Sequence, residues 1–173
     1  MNKEYDLIVV GVGTAGALAA ITGARFGLSV LGIERLNGMG GVGTLGGISE
    51  YYFGSQGGIF EKFNEETIKL QKELYHCNDA PNFNLKSYLL EEETRNLDIE
   101  ILYEATVIDV IMEENHLKGV VCFKNGEKIT INSKYVIDCT SEGDICHMCG
   151  LKSNKGRSFD RQTQAFTNII ITS

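Results

Sequence analysis

The stretch YDLIVVGVGTAG, Tyr5 to Gly16, decides the fold. Residues 5–10 form a short run, apolar but for Asp6, that reads as a buried strand, and the alanine-rich, proline-free residues 14–26 read as the helix that follows. Residues 28–34, LSVLGIE, read as a second buried strand, so the chain opens with a βαβ unit of about 30 residues. Gly11, Gly13 and Gly16 hold the three positions of G-x-G-x-x-G between strand and helix. The first glycine turns the chain out of the strand, the second lets backbone meet a pyrophosphate, and the third lets helix pack on strand. A pyrophosphate there faces the helix N-terminus, whose N–H groups and dipole favour negative charge. Glu34 ends the second strand at close to the spacing of about 20 residues expected for the acid that accepts from a ribose diol, where it repels a 2′-phosphate. This register predicts a dinucleotide site; FAD and NAD share the fingerprint, and it does not choose between them.

Bulk properties narrow the class. A chain of 173 residues with 43% hydrophobic residues can build a core, which excludes disorder. Sixteen basic against 23 acidic side chains give a net charge of -7, which repels a polyanion and argues against nucleic acid as a partner. No apolar run reaches the roughly 18 residues of a membrane span, and the first apolar stretch is already the start of the fold, so a cytoplasmic location is the default expectation. Five cysteines, at 77, 122, 139, 146 and 149, are an odd number without an export signal and read as free thiols.

Beyond the βαβ unit, residues 37–58 are dense in glycine yet carry Met39, Val42, Leu45, Ile48, Tyr51, Tyr52 and Phe53, a composition that suits an ordered, ligand-contacting loop better than a flexible linker. Residues 59–76 show an imperfect helical stripe of Phe60, Phe63, Ile68, Leu70 and Leu74, and Asn84 is the expected cap of a further helix with Leu85, Tyr88 and Leu89 on one face. After residues 99–102 come three alternating runs, 106–112, 117–123 and 128–132, linked by residues 113–116 and by Asn125-Gly126, a strong hairpin signal. They predict an antiparallel β-meander leading into a separate central parallel strand, 134–139. The expected fold class is α/β, a Rossmann-like FAD/NAD(P)-binding domain with a parallel sheet plus that meander.

Two longer stretches carry a resemblance. Glu34-Arg35 followed by GMGGVGTLGGISEYYFG (38–54), and later VVCFKNGEKITINSKYVIDCTSEGDICHMCG (120–150), resemble the FAD-dependent oxidoreductases of the two-dinucleotide-binding-domain type, a group that includes the fumarate reductase and L-aspartate oxidase flavoproteins. The resemblance implies FAD as cofactor and a hydride-accepting flavin. It implies that Gly11, Gly13, Thr14, Ala15 and Gly16 hold the pyrophosphate and that Glu34 and Arg35 flank the adenosine ribose. Gly40, Gly41 and Thr44 would continue along the pyrophosphate and ribityl chain, with Gly46 and Gly47 toward the isoalloxazine. Val107 would meet adenine through its backbone, and Thr140, Gly143 and Asp144 would close over the cofactor. Where the family pattern has Thr-Gly-Asp-Gly-Asp, this chain has Thr140-Ser141-Glu142-Gly143-Asp144, with serine in place of a glycine.

Absences shape the chemistry expected. Residues 35–60 hold neither the redox cysteine pair of disulfide reductases nor a histidine for a covalent flavin link, so the flavin is expected to be noncovalent. Cys146-His147-Met148-Cys149 offers a CxxC, but two thiols do not complete a tetrahedral metal site, and both are read as packing residues; no metal is expected. Glu91, Glu92 and Glu93 read as a solvated helix face. No catalytic acid or base stands out, as expected where the flavin carries the chemistry. Residues 1–150 are read as the FAD-binding domain and 151–173 as a linker and the opening strand of a substrate domain. A small-molecule substrate, a homo-oligomer or a partner chain completing the site belong to the same expectation. An NAD-dependent dehydrogenase and a non-catalytic flavin-binding remnant are the rival readings.

Overall fold

The computed structural model describes residues 4–48, 57–77 and 80–163. Tyr51, Tyr52, Phe53 and Gly54 of the glycine-rich stretch, and the strand expected over 164–172, lie outside the described residues. Strand β1 (Glu4–Val10) runs into helix α1 (Thr14–Arg25) and then strand β2 (Val30–Ile33), with β1 and β2 parallel and Leu7 opposite Val30. Leu7 and Val9 face Ala17, Ala20 and Ile21 of α1, whereas Ile8 and Val10 face the opposite core with Val120 and Ile131. Burial on both faces is why this strand is a continuous apolar run rather than an alternating one. Gly27, with φ +83°, ends α1. The second strand begins two residues later than its apolar run implies: Ser29 is held outside the ladder by Asp6, whose Oδ2 accepts from both its N–H (2.9 Å) and its hydroxyl (2.8 Å).

Helices α2 (Gly58–Tyr75) and α3 (Phe83–Asn96) pack beside each other, α3 also against α1, and strand β3 (Glu100–Leu102) follows. The cap of α3 is Asn82, not Asn84: its Oδ1 accepts from the N–H groups of Asn84 (2.9 Å) and Leu85 (3.1 Å). The face of α3 differs accordingly. Leu85, Lys86, Leu90 and Thr94 are buried, while Tyr88 is exposed and donates to Glu92. On α2 the buried residues are Phe63, Thr67 and Gln71, and Leu74 is exposed. Thr67 tolerates burial because its hydroxyl donates to the carbonyl of Phe63. The glutamates at 91–93 are not merely solvated: Glu93 pairs with Arg25 at 2.6 Å, Glu92 accepts from Tyr88, and Glu91 accepts from the Tyr103 hydroxyl.

The meander is β4 (Thr106–Glu113), β5 (His116–Lys124) and β6 (Glu127–Asp138), and the hairpin at Asn125-Gly126 has positive φ at both positions, +52° and +85°. The expected separation between a third meander strand and a central parallel strand is absent. Residues 127–138 form one strand whose first half pairs antiparallel with β5 and whose second half pairs parallel with β1, Leu7 opposite Tyr135 and Val10 opposite Asp138. Ser133 and Lys134 are polar but are not chain breakers, so the ladder runs through them. The six strands order as β3-β2-β1-β6-β5-β4. The chain leaves β1 toward β2 and β3 on one side and returns through β6 on the other, which makes the carboxyl end of β1 the topological switch point where open α/β sheets bind ligands. A short helix, α4 (Asp144–Met148), stands beyond β6.

Candidate functional site

A cleft of about 620 Å³ opens at that switch point, within the range of roughly 300–1,000 Å³ usual for small-molecule sites. Its walls are the ends of β1 (Val10, Gly11), β2 (Ile33, Glu34) and β6 (Cys139, Thr140). Two glycine loops form its floor and are stitched together. The N–H of Gly40 donates to the carbonyl of Val12 at 2.8 Å, and the hydroxyl of Thr14 donates to the carbonyl of Gly40 at 3.0 Å. A Cβ on Gly41 would fall 2.9 Å from the Cα of Gly13, so the loops touch backbone to backbone. A Cβ on Gly13, in contrast, would meet nothing nearer than the Cα of Gly41 at 3.8 Å. Protein packing therefore does not demand glycine at 13, the position at which the fingerprint expects backbone to meet a pyrophosphate. Gly13 is also the N-cap of α1 and offers no side chain to cap it. Gly16 has the other role the fingerprint assigns, since a Cβ there would collide with the carbonyl oxygen of Gly11 at 1.7 Å.

The structure gathers most of the residues singled out in the sequence around this cleft. Gly11, Gly13, Thr14, Glu34, Arg35, Gly41, Gly46, Val107, Thr140 and Asp144 line it. Gly16, Gly40 and Thr44 are buried beneath it; the Thr44 hydroxyl donates to the carbonyl of Met39 at 2.5 Å, so this side chain braces the loop. Gly47 follows in the same loop, its N–H donating to the carbonyl of Thr44. Ala15 turns its methyl group to a trough on the other side of α1. Val107 reaches the cleft because residues 102–105 strap across the end of β2: the N–H of Glu34 donates to the carbonyl of Leu102, and that of Ala105 to the carbonyl of Glu34.

Glu34 is buried, and its carboxylate already joins two loops. One oxygen accepts from the N–H of Val12 and the other from that of Leu36, both at 3.0 Å. Each oxygen retains capacity to accept a ribose hydroxyl. The charged groups lining the cleft are Arg35 against Glu34, Glu142 and Asp144, so a bound phosphate depends on backbone N–H groups and the α1 N-terminus rather than on a cluster of cations.

Asp138 organises the third wall, a role the sequence reading missed. Its Oδ1 accepts from the N–H (3.0 Å) and hydroxyl (2.6 Å) of Thr140, and its Oδ2 from the N–H of Cys146 (2.9 Å); the Thr140 hydroxyl in turn accepts from the N–H of Asp144 (2.8 Å). Partial burial pushes the Asp138 carboxyl upward, and these hydrogen bonds more than reverse that, holding it below its ordinary range. An aspartate closing an apolar strand two residues before Thr-Ser-Glu-Gly-Asp was the available signal. Serine at 141 costs no special backbone conformation, because Ser141 has no positive φ; Gly143 does, at +70°. Cys149 packs partly into the core beneath, but Cys146 is exposed rather than packed. The Asp138 carboxylate, as hydrogen-bond partner, pushes the Cys146 thiol up, and burial pushes the Cys149 thiol up, so neither favours the thiolate form. Among the described residues no three His, Cys, Asp or Glu side chains converge as a metal site.

Comparison with known proteins agrees with this geometry. The FAD dependent oxidoreductase family matches residues 6–171. Digeranylgeranylglycerophospholipid reductase 1 of Methanococcoides burtonii is 32% identical, over 79% of this chain and 38% of its own. Thiamine thiazole synthase of Methanococcus aeolicus is 33% identical, over 80% of this chain and 56% of its own. Among solved structures, a geranylgeranyl bacteriochlorophyll reductase-like protein of Thermoplasma acidophilum shares the fold at a TM-score of 0.63 and 22% identity, over 87% of this chain and 43% of that one. The chain thus spans 38–56% of the length of these relatives. With a family match across nearly all its residues and the glycine-lined cleft that match requires, the chain belongs to the FAD dependent oxidoreductase family, and its cofactor is FAD.

Proposed function

We propose that this chain forms the FAD-holding part of an oxidoreductase that takes hydride from a small-molecule substrate. The observation that carries the reading is the open space at Gly13 beside Gly41, at the uncapped N-terminus of α1, where the fold itself makes no demand for glycine and a pyrophosphate can meet backbone. Bound FAD supplies the hydride chemistry. In this reading the N–H groups of α1's first turn bind the pyrophosphate, Glu34 accepts from the adenosine ribose, and the Val107 backbone borders adenine. Gly41, Gly46 and Gly47 let the chain pass close to the rest of the cofactor, and the Asp138–Thr140 network fixes the turn carrying Gly143 and Asp144 over it. Residues 35–48 hold no histidine for covalent attachment, in keeping with a noncovalent flavin.

Residues 1–150 serve as the FAD-binding domain and 151–173 as the passage to a substrate domain. Supporting this, residues 151–163 are exposed, and past the Leu151 N–H, which donates to the carbonyl of Cys146, they make local contacts such as the Arg157–Asp160 pair at 2.5 Å. Val42 and Leu45 on the cleft rim are half exposed, which favours a covering domain, a second copy or a partner chain over that rim. The glycine-rich stretch Gly40–Gly47, GGVGTLGG, supports the wider FAD-dependent oxidoreductase family; kinship to the fumarate reductase and L-aspartate oxidase flavoproteins in particular is a finer reading. The net charge of -7 disfavours a nucleic-acid partner; no described helix is long and apolar enough to cross a membrane. The test is a titration monitored by flavin fluorescence: FAD quenches on binding and NADP does not compete. Equal competition by NADP removes Glu34 from the ribose.

A further inference from the structure

Cys146-His147-Met148-Cys149 is a motif to which the cofactor site gives no role, and its two thiols stand on one short turn. Cys146 is exposed and Cys149 partly buried. The N–H of Cys149 donates to the carbonyl of Ile145 at 2.9 Å and that of Leu151 to the carbonyl of Cys146 at 3.0 Å, so the turn is helical and residues three apart share its face. The Cys146 thiol is pushed up first by its hydrogen bond to Asp138 and in smaller part by Cys149; the Cys149 thiol is pushed up by burial and then by Asp138. Both sulfurs thus lie within electrostatic range of one carboxylate. That carboxylate fixes Thr140 and, through its hydroxyl, Asp144 on the wall of the cleft. Helix α4 is free to shift: Gly143 (φ +70°) and Gly150 (φ +77°) bound it, a Cβ on either would meet nothing within 4 Å, and Ile145 is its one buried residue.

We propose that Cys146 and Cys149 form a reversible dithiol–disulfide pair, oxidised by a low-molecular-weight disulfide of the glutathione class, and that its oxidation loosens the Asp138 wall of the FAD cleft. The exposed Cys146, its proton passed to solvent, attacks one sulfur of the oxidant, forming a mixed disulfide and expelling a thiolate. Cys149, likewise deprotonated, attacks the Cys146 sulfur, closing the Cys146–Cys149 bond and expelling the second thiolate. The expelled thiolates take up the two protons, so two cysteines are oxidised and one disulfide is reduced to two thiols. Helical residues three apart have Cα atoms about 5 Å apart, inside the roughly 4.4–6.8 Å that disulfides span. Their Cβ atoms, however, are about 5–6 Å apart where a disulfide takes about 3.5–4.5 Å, so closure draws the turn in by roughly 1–2 Å. That movement lifts the Cys146 N–H from Asp138 Oδ2, which it meets at 2.9 Å. The bond is strained and exposed, the kind that a thiol pool reopens. The coupling to FAD rests on the cofactor reading of the cleft; the pair itself does not.

The test equilibrates the 173-residue chain with reduced or oxidised glutathione, quenches in acid and alkylates the free thiols. Digestion with trypsin and a glutamate-specific protease releases residues 143–152, which carry Cys146 and Cys149 and leave Cys139 on another peptide. Oxidised glutathione yields this peptide unalkylated and lighter by two hydrogens, and excess reduced glutathione restores the alkylated form. Cys149→Ser accumulates a glutathione adduct on Cys146, whereas Cys146→Ser accumulates none on the partly buried Cys149. FAD fluorescence titration of the same samples gives an affinity roughly 2- to 10-fold weaker for the oxidised wild type, the worth of about one hydrogen bond. Cys146→Ser binds FAD equally in both buffers. Two thiols that stay alkylatable in oxidised glutathione, or a disulfide that joins either of them to Cys139, overturn the pair. A Cys146–Cys149 bond with unchanged FAD affinity overturns its link to the cleft. Absence of FAD binding in reduced buffer sinks the cofactor reading of the cleft and the coupling with it, while the peptide map still decides the pair.

Discussion

Replacing Gly13 by alanine separates a ligand's need for glycine from the fold's need. The new Cβ would lie 3.8 Å from the Cα of Gly41, an ordinary contact, and Gly13 has φ -67°, which alanine adopts without strain. Reducing the freedom of the unfolded chain favours the variant by about 0.4–1 kcal/mol. Alanine is a poorer N-cap than glycine by about the same amount, so stability changes little. The methyl group nevertheless stands where the pyrophosphate meets backbone. Loss of even one charge-assisted hydrogen bond costs about 1.5–3 kcal/mol, or roughly 10- to 150-fold in affinity. Urea unfolding and FAD fluorescence titration on the same sample check both halves. Gly16→Ala is the contrasting control: its Cβ would lie 1.7 Å from the Gly11 carbonyl oxygen, so it should destabilise the fold outright. A Gly13→Ala chain with wild-type FAD affinity, or one that no longer folds, refutes the reasoning.

Other outcomes follow from the same geometry. Glu34→Ala should lower stability by about 1.5–3 kcal/mol in urea, because the buried Val12 N–H loses a charged acceptor, and should also weaken adenosine binding; an unchanged midpoint would mean that the carboxylate does not bridge these loops. Asp138 has a folded pKa below its ordinary 3.8, so its contribution is fully present above about pH 4 and is lost as the pH falls through the lower folded value. Acid unfolding of Asp138→Asn should therefore be flatter below pH 4 than that of the wild type. Raising ionic strength from about 0.05 to 0.3 M should leave FAD affinity within about threefold, since Arg35 is the one cation among the described cleft-lining residues; a steep loss would point to cationic phosphate contacts. Replacing both Cys146 and Cys149 by alanine should leave FAD binding unchanged; loss of binding or of a stoichiometric metal would assign the thiols a role.

The βαβ unit was legible because its signals are local: an apolar run buried on both faces, glycines at fixed offsets and an acid at the strand end. The Asn125-Gly126 hairpin was legible for the same reason, both residues adopting positive φ. What the sequence hid depends on partners distant in the chain. Residues 127–138 continue as one strand because β1 and β5 pair with successive halves of it, which no window of that segment reveals. Lys86 of α3 is buried beside Phe60 of α2, a contact that no window around Lys86 reveals. Asp138 shows its role only when Thr140 and Cys146 fold back onto its carboxylate. The cap of α3 falls on Asn82 rather than Asn84 because both asparagines are competent caps, and the helix starts one residue after the earlier one.

The most direct test of the account is an amide NMR titration of the chain with FAD. The geometry predicts shifts at Gly11, Gly13, Gly41, Gly46, Val107 and Thr140, which surround one cleft, and none at Phe26 or Tyr135 across α1. Shifts confined to Phe26 and Tyr135, or none at saturating FAD, would contradict the assignment of this cleft as the cofactor site.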